Sequence, residues 1–230
     1  MKKSFILILA LLAGVLMRFG ETKGLAAWTA SSGSFDTSEY LEAYEPVLDS
    51  YRAYLNGYEP GDAIAASDGG YYLELGKTGI SELCLDGGDI CYELRDLNGD
   101  EVPELIISST TSKYYRGWVY DLFTLSYGVP VRVAVSSVRS RYMLCESGEL
   151  YYEGNAGAYE DYRARYYWRG NSVVMYLGEV RDGGHYYEVY ETQGDLFRRS
   201  FSDVEVSAEY YSFRVADMQS DLATLYLRTI

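Results

Sequence analysis

Histidine and cysteine are scarce in this chain, with one histidine and three cysteines among 230 residues. His185 stands alone, and Cys84, Cys91 and Cys145 are scattered, so spacing assembles no standard zinc site. No Gly-x-Ser-x-Gly motif occurs either, which argues against the nucleophile elbow of a Ser-His-Asp hydrolase. We therefore interpret His185 as a solvated turn residue rather than a general base, and we assign no catalytic residue.

Basic residues are also few, since 20 Lys and Arg stand against 34 Asp and Glu, a net charge of −14. Removal of residues 1–26 would leave 16 basic and 33 acidic residues, a net charge of −17. Such a field repels phosphate backbones, whose binding needs Lys and Arg, and anionic lipid headgroups. The composition thus argues against nucleic-acid binding and favours divalent cations.

A long apolar run is missing as well. The N-terminal run 5–17 has thirteen residues, whereas a membrane-spanning helix needs about twenty. It follows two lysines and precedes the small residues Gly24, Ala26 and Ala27, as in a secretory signal peptide. We predict a signal peptide over 1–26, an uncleaved anchor being the alternative. Because no cysteine follows the run to carry a lipid, we expect a secreted, extracellular or cell-wall-associated protein that is not inserted in the membrane after cleavage.

The cysteines have different expected fates in an oxidising compartment, which permits disulfides. Cys84 and Cys91 would close a short loop around two aspartates and two glycines, or remain unpaired; the sequence leaves both open. Cys145 follows an apolar stretch that is typical of a strand, and we expect it to be a buried thiol. An odd count excludes a complete disulfide framework.

Tyrosine is abundant, with 26 residues beside seven Phe and three Trp. Its ring packs on half-buried strands while its hydroxyl reaches water, so this composition favours β structure. Doublets such as Tyr151-Tyr152 and Tyr210-Tyr211 are expected on strands, with one ring inward and its neighbour outward. Outward rings suit an extracellular glycan, although plain sheet surface is the alternative.

The chain length supports one domain, 39–230, behind a flexible linker over 27–38 that is rich in Ser, Thr and Gly. Its N-terminal part, 39–66, is helical: Val47, Leu48 and Tyr51 share one face, and Pro46 suits a first helical turn. A turn upstream, kinked at the proline, is the alternative.

Residues 90–200 form a β-rich part with glycine-containing turns between short apolar segments. The predicted strands are 90–94, 105–109, 119–125, 131–137, 141–145, 150–153, 163–168, 173–180 and 186–191. The C-terminal tail is predicted to hold a short helix near 204–211 and a strand at 222–227. The predicted fold class is α+β, predominantly antiparallel β as a meander, curled sheet or small barrel, with an N-terminal helix.

One turn, which we name the acidic loop (residues 96–104), concentrates oxygen ligands. Its predicted metal ligands are Asp96, Asn98, Asp100, the backbone carbonyl of Val102 and Glu104. A hard cation such as calcium takes six to eight oxygens, and clustered acids repel one another unless a cation offsets them. An ordinary polar turn is the alternative, because Asn-Gly-Asp is also hairpin chemistry, but such a turn needs no acid at position nine.

The acidic loop resembles the nine-residue Asp-x-Asp-x-Asp-Gly-x-x-Asp/Glu calcium loops of integrin-type repeats and, in part, an EF-hand loop. Two residues depart from those patterns. Glu101 stands at position six, where glycine normally accepts a positive φ, at a cost of roughly 1 kcal/mol. Ile107 stands at position twelve, where an EF-hand has glutamate. The resemblance therefore implies a weak structural site between two strands rather than a helix-loop-helix sensor.

Residues 94–107 are also similar to an Asp-Leu-Asp-Gly-Asp-Gly-x-Pro-Glu-Leu-Ile-Ile stretch common in uncharacterised exported proteins and lipoproteins of Gram-positive bacteria. The wider similarity extends over about 44–180 and includes the strand 119–123 and the small-residue loop 153–159. This family implies no activity, and the lipid-anchor cysteine of its members is missing here.

Two functions remain as hypotheses. The first is a non-catalytic extracellular binding module, for a glycan or a surface protein, with calcium as its only cofactor. The second is a carboxylate-dependent glycoside hydrolase that acts on extracellular polysaccharide, with Glu153, Glu160 and Asp161 as candidate acids. Arg163 and Arg165 share one strand face, and we expect them to pair with the surplus of acids.

Overall fold

A computed structural model of the chain describes residues 38–55, 88–110, 117–137, 139–155, 157–190 and 204–230. These residues fall in one compact unit, 36–230. The predicted signal peptide, nearly all of the predicted linker and Cys84 lie outside them.

The described residues contain two helices and twelve strands. The helices are α1 (Ser38–Leu55) and α2 (Ala208–Met218). The strands are β1 (Ile90–Arg95), β2 (Glu104–Ser109), β3 (Trp118–Val119), β4 (Asp121–Ser126), β5 (Val129–Val135), β6 (Ser140–Leu144), β7 (Leu150–Asn155), β8 (Glu160–Arg169), β9 (Ser172–Asp182), β10 (His185–Tyr190), β11 (Val204–Val206) and β12 (Arg228–Thr229).

The strands form two antiparallel sheets, which confirms the predicted fold class. The five-stranded sheet has the order β12-β1-β2-β4-β5, and the seven-stranded sheet has the order β11-β10-β9-β8-β7-β6-β3. Neither sheet closes on itself within the described ranges, so the small barrel among the predicted alternatives does not form. Five of the six neighbouring pairs in the seven-stranded sheet, and two of the four in the five-stranded sheet, are consecutive in the chain, as expected when glycine turns separate short strands.

The predicted strands lie where the alternating pattern places them, with one division. The predicted strand 119–125 is split at Tyr120, because β3 pairs with β6 in one sheet whereas β4 pairs with β2 and β5 in the other. The Tyr120 amide donates to the Ile107 carbonyl at 2.9 Å, and the Tyr120 carbonyl accepts from the Ser136 amide at 2.9 Å. The chain therefore crosses between the sheets at a single buried residue.

Helix α1 begins eight residues before Pro46, so the predicted start at that proline is wrong and the upstream turn is helical. Proline inside a helix removes one backbone hydrogen bond, but tertiary packing offsets such a loss. Tyr44, upstream of the proline, is fully buried against the five-stranded sheet, as are Val47, Leu48 and Tyr51 downstream.

The five-stranded sheet is covered on both faces, which explains why every residue of β2 is buried. Leu105 and Ile107 pack with α1 and Phe123, whereas Ile106, between them, packs with Leu144 and Leu150 of the seven-stranded sheet. Successive strand residues point to opposite faces. The layers therefore follow in the order α1, five-stranded sheet and seven-stranded sheet.

The C-terminal tail contains the predicted kinds of element, but in shifted positions. The predicted helix 204–211 begins only at Ala208, because Ser207 accepts a hydrogen bond from the Tyr210 amide and caps α2. The predicted strand 222–227 is replaced by a bridge at Leu222 and the short β12. Tyr210-Tyr211 thus lies on a helix and not on a strand. Helix α2 contacts β8, β9 and β10 on the face of the seven-stranded sheet that is turned away from the five-stranded one.

Cys145 is a fully buried, free thiol at the end of β6, which confirms its predicted role. It packs with Met143, Tyr151 and Met218 beneath the end of α2. Burial raises the pKa of the Cys145 thiol to about 12, so it is neutral and unreactive at ordinary pH. Cys91 is likewise a buried free thiol.

Candidate functional site

The acidic loop joins β1 to β2, which pair antiparallel with Arg95 opposite Glu104. The strand register therefore fixes both ends of the loop, and the residues between them form one tight excursion. Leu97 is a buried hydrophobic residue of the loop, and it packs with Ile106 and Leu150 between the two sheets. The loop is anchored from below by this side chain, while Asp100 and Glu101 are exposed.

Side-chain oxygens of the loop accept hydrogen bonds from its own backbone. Asp96 accepts from the Gly99 amide at 2.7 Å and the Glu101 amide at 3.1 Å. Asn98 Oδ1 accepts from the Asp100 amide at 2.9 Å, and Asp100 Oδ1 from the Val102 amide at 2.9 Å. These bonds curl the chain around its acidic side chains, and all four lie within the loop itself.

Three of the predicted ligand side chains converge on one another. The Asn98 amide group donates to Asp100 Oδ2 at 3.1 Å and to Glu104 Oε1 at 3.1 Å. The positive end of an amide dipole therefore lies between two carboxylates. A cation would offset the same negative charges there.

Glu104 is the most deeply placed of these acids, with no exposed surface. Its carboxylate accepts from the Leu97 amide at 2.7 Å and from the Thr124 hydroxyl at 3.0 Å. Burial, together with the charges of Asp100 and Asp96, raises the pKa of Glu104 to about 7 against these hydrogen bonds. Glu104 thus closes the loop against β4 while one edge faces the other acids.

The backbone at Glu101 has the conformation that the motif predicts. Its φ is +69°, in the left-handed region, and that of Gly99 is +79°. The prediction of positive φ at position six is confirmed, and a residue with a Cβ bears the strain there. The Glu101 side chain is exposed.

Two tyrosines of α1 support the loop from a distant part of the sequence. The Tyr40 hydroxyl donates to the Glu101 carbonyl at 3.3 Å, and the Tyr44 hydroxyl donates to the Pro103 carbonyl at 3.0 Å. These carbonyls flank that of Val102, the predicted backbone ligand. No local sequence signal indicates these contacts, because 61 and 59 residues separate the partners.

The seven-stranded sheet holds the other side of the loop. A Cβ added to Gly148, in the β6–β7 turn, would lie 2.6 Å from the Leu97 carbonyl oxygen, and the φ of Gly148 is +83°. The Gly148 carbonyl accepts from the Trp168 indole at 3.0 Å. Only glycine allows this approach and this φ together. The acidic loop therefore touches α1 on one side and the seven-stranded sheet on the other.

The donor set of the loop fits calcium in kind. Asp96, Asn98, Asp100 and Glu104 offer side-chain oxygens and Val102 offers a carbonyl, and oxygens are what this hard cation binds. Among the residues that the structure describes, no group of three or more His, Cys, Asp or Glu side chains has metal-site geometry. A cation in the loop would thus depend on Asn98 and the Val102 carbonyl as well as the acids.

The other candidate residues lie apart from the loop and are mostly paired. Glu153 Oε2 lies 3.9 Å from Arg163 Nε, and Asp161 forms an ion pair with Arg181. Glu160 accepts from the Tyr162 hydroxyl at 3.4 Å. Arg165 is bound by Glu149 and Asp221, which agrees with the expected pairing of arginines with acids.

His185 is the first residue of β10, next to the Gly183-Gly184 turn, and is exposed as predicted. Its Nδ1 lies 2.9 Å from Glu205 Oε1. Its ring lies beside that of Tyr187, with the ring centroids 6.5 Å apart.

Comparisons with known proteins find no matching family model, no significantly similar curated protein and no significantly similar solved structure. Neither helix of the described ranges is long and apolar enough to cross a membrane.

Proposed function

We propose that this chain is an exported, non-catalytic binding module in which the acidic loop holds one calcium ion as a structural staple. The observation that carries the proposal is the convergence of Asn98, Asp100 and Glu104, with Asp96 held at the start of the same turn. The ion would supply positive charge among carboxylates. Because the loop contacts α1 and the β6–β7 turn, fixing it would stabilise the junction of three layers.

Exposed aromatic rings support the binding role. Tyr159 and Tyr226 are 75% and 76% exposed, and Tyr127, on the β4–β5 turn, is fully exposed. Rings of this kind stack on sugar faces through an apolar surface with a polar edge. The strand doublet Tyr151-Tyr152 does not serve, because both rings are buried and the expectation of an outward neighbour is wrong there. We propose that Tyr127, Tyr159 and Tyr226 contact a glycan or a surface protein.

The calcium site is tested by thermal unfolding of the wild type and of a variant with Asp96→Ala and Asp100→Ala, in calcium and in chelator. Affinity is expected at about 10⁻⁴ to 10⁻³ M. At ten times Kd, the ion would add about 1.4 kcal/mol of stability, a rise of roughly 3–5 °C in Tm.

The control variant carries Glu146→Ala and Glu209→Ala, which removes two exposed acids elsewhere and changes the net charge equally. It is expected to retain the full calcium response. The calcium site is refuted if millimolar Ca²⁺ does not raise the Tm of the wild type, or if it raises the Tm of the loop variant by as much as that of the wild type.

The binding role is tested with a glycan array beside a panel of chromogenic glycosides. We expect retention on one glycan class that is weakened by Tyr159→Ala or Tyr127→Ala, and no turnover of any glycoside. Turnover that disappears in Glu153→Gln or Glu160→Gln would support the hydrolase alternative instead. The pairing of Glu153 with Arg163 favours the binding role, since this acid already has a cationic partner.

A further inference from the structure

Asn98, in the middle of the acidic loop, is followed by glycine, the neighbour that favours loss of an asparagine amide. The backbone nitrogen of the following residue attacks the asparagine Cγ, and glycine has no Cβ to hinder that approach. Gly99 is exposed, so water reaches this peptide group. Asn56 is the other asparagine of the chain that precedes a glycine, and it lies outside the described residues. The Asn98–Gly99 pair is therefore chemically open to deamidation.

Deamidation consumes water and needs no enzyme. The Gly99 nitrogen forms a bond to Asn98 Cγ and gives up its proton, the bond between Cγ and Nδ2 breaks, and Nδ2 leaves with that proton as ammonia. Water then opens the cyclic imide at either of its carbonyls. The product is an aspartate, or an isoaspartate in which the main chain runs through the former side chain. Either product carries a carboxylate and has lost the amide donor.

The closed acidic loop holds the groups that this ring closure has to move. The Gly99 N–H donates to Asp96 Oδ1 at 2.7 Å, and Asn98 Oδ1 accepts from the Asp100 amide at 2.9 Å. Asn98 Nδ2 donates to Asp100 Oδ2 and to Glu104 Oε1, both at 3.1 Å. Hydrogen bonds to a carboxylate are stronger than those between neutral groups. The Gly99 nitrogen can therefore reach Asn98 Cγ only after the loop has opened.

The Asn98 amide also draws two acids of the loop together, because it donates to both of them. Glu104 has no exposed surface, and removal of a donor from a buried carboxylate leaves part of its desolvation uncompensated. A carboxylate in place of the amide has no hydrogen to donate. It would instead face Asp100 and Glu104 with a charge of the same sign, and like charges at hydrogen-bonding distance repel each other. Deamidation thus turns an attractive contact into a repulsive one.

We propose that Asn98–Gly99 is a deamidation site that the closed acidic loop protects, and that its product destabilises the closed loop. The reaction is irreversible, so the product accumulates with the time that the loop has spent open. The loop joins β1 to β2, receives the Tyr44 hydroxyl of α1 at the Pro103 carbonyl, and lies against Gly148 of the β6–β7 turn. Its opening therefore lowers the stability of the structure around it. The inference does not rest on calcium, because every contact it uses is made by the chain itself.

The effect of the product is measured by thermal unfolding of Asn98→Asp in chelator. We expect a Tm about 4–10 °C below that of the wild type, because a hydrogen bond to a charged group is lost and repulsion is added. Asn171→Asp is the control with the same change of charge. Asn171 is exposed in the β8–β9 turn and donates to the Leu125 carbonyl at 3.3 Å. This control should change the Tm by less than about 2 °C.

The protection is measured by ageing the protein in chelator at mildly alkaline pH. Peptide mapping by mass spectrometry then follows conversion at residue 98 separately from that at Asn56. Asp100→Ala removes one acceptor of the Asn98 amide, and we expect it to deamidate roughly tenfold faster than the wild type, the factor that corresponds to one charge-assisted hydrogen bond. Glu101→Ala removes an exposed acid of the same loop. This control should deamidate at the rate of the wild type.

Equal Tm values for Asn98→Asp and Asn171→Asp would overturn the proposal, and so would conversion at residue 98 that is no faster in Asp100→Ala than in Glu101→Ala. Should Asp100→Ala fail to fold, the wild type is aged in native buffer and in guanidinium chloride instead. Asn98 should then react more slowly in the native protein, and equal rates would contradict the protection. Because calcium is absent from both experiments, their outcome is separate from that of the calcium test.

Discussion

The two helices cover two sheets in different ways. Helix α1 has four fully buried apolar or aromatic residues on the five-stranded sheet, and the hydroxyls of two of them bind the sheet beneath, Tyr44 to the Pro103 carbonyl and Tyr51 to Asp121. Helix α2 has one buried residue, Met218, and meets the seven-stranded sheet through ionisable groups and through the ring of Tyr211, which packs on that of Tyr186. The same fold thus holds one helix mainly by buried apolar surface and the other largely by polar and aromatic contacts.

The largest expected effect is on the apolar side. Tyr51→Ala should lower the free energy of unfolding by about 3–5 kcal/mol, because it leaves a large cavity and removes the 2.9 Å hydrogen bond to Asp121. Phe213→Ala, on the exposed side of α2, should change it by less than about 0.5 kcal/mol. Urea unfolding measures both. Equal losses in the two variants would abolish the distinction between the helices.

An intermediate effect is expected at Arg165, the buried arginine beside the end of α2. It donates to the Met218 carbonyl at 2.9 Å and to Asp221 Oδ1 at 2.6 Å, and it contacts Glu149. Arg165→Met should lower the free energy of unfolding by about 2–4 kcal/mol, because it leaves partly buried acids without their cation. Arg52→Met, which breaks exposed pairs on α1, is the control and should cost less than about 1 kcal/mol.

The dependence of stability on acidic pH should also report on the contact between Arg165 and Asp221. Burial alone would raise the pKa of Asp221, but the hydrogen bonds and charge of Arg165 hold it below its usual value. The resulting stabilisation is present above the ordinary value of 3.8 and is lost as pH falls below it. Wild-type stability should therefore decline more steeply below pH 4 than that of Arg165→Met. Parallel curves of stability against pH would show that Arg165 does not stabilise the ionised form of Asp221.

The smallest expected effect concerns the acidic loop. Glu101→Gly should raise the free energy of unfolding by about 0.5–1 kcal/mol, because relief of the left-handed strain outweighs the added freedom of the unfolded chain. Glu146→Gly, in the β6–β7 turn, is the matched control: its φ is not positive, so it should destabilise by a similar amount. Chemical denaturation of the pair measures the difference, and the same sign in both variants would refute the explanation.

Local patterns account for most of the strands and for the acidic loop. Strands such as 105–109 and 173–180 follow from apolar and β-branched residues between glycine turns, a signal contained within each segment. The ligand spacing of the loop is likewise local, and its predicted positive φ at Glu101 is confirmed. Calcium binding itself stays a prediction.

Interactions between distant segments account for what the sequence could not predict. Pro46 is tolerated within α1 because Tyr44 upstream packs on a sheet whose strands begin more than 40 residues later. The predicted strand 119–125 is divided at Tyr120 because its two parts pair with strands of different sheets. Such pairing leaves no periodic pattern in the sequence. Tyr151 is buried rather than outward because α2, 57 residues further on, covers it.

The return of the chain to its first strand determines when the molecule can finish folding. The Tyr226 amide binds Glu93 across 133 residues, Arg95 binds the Thr224 carbonyl across 129, and β12 pairs with β1. Contacts this remote require closure of very long loops, and they form late. The outer edge of β1 is therefore left open to other chains until residues 224–229 have been synthesised, so completion of the sheet reports on the integrity of the chain between β1 and β12.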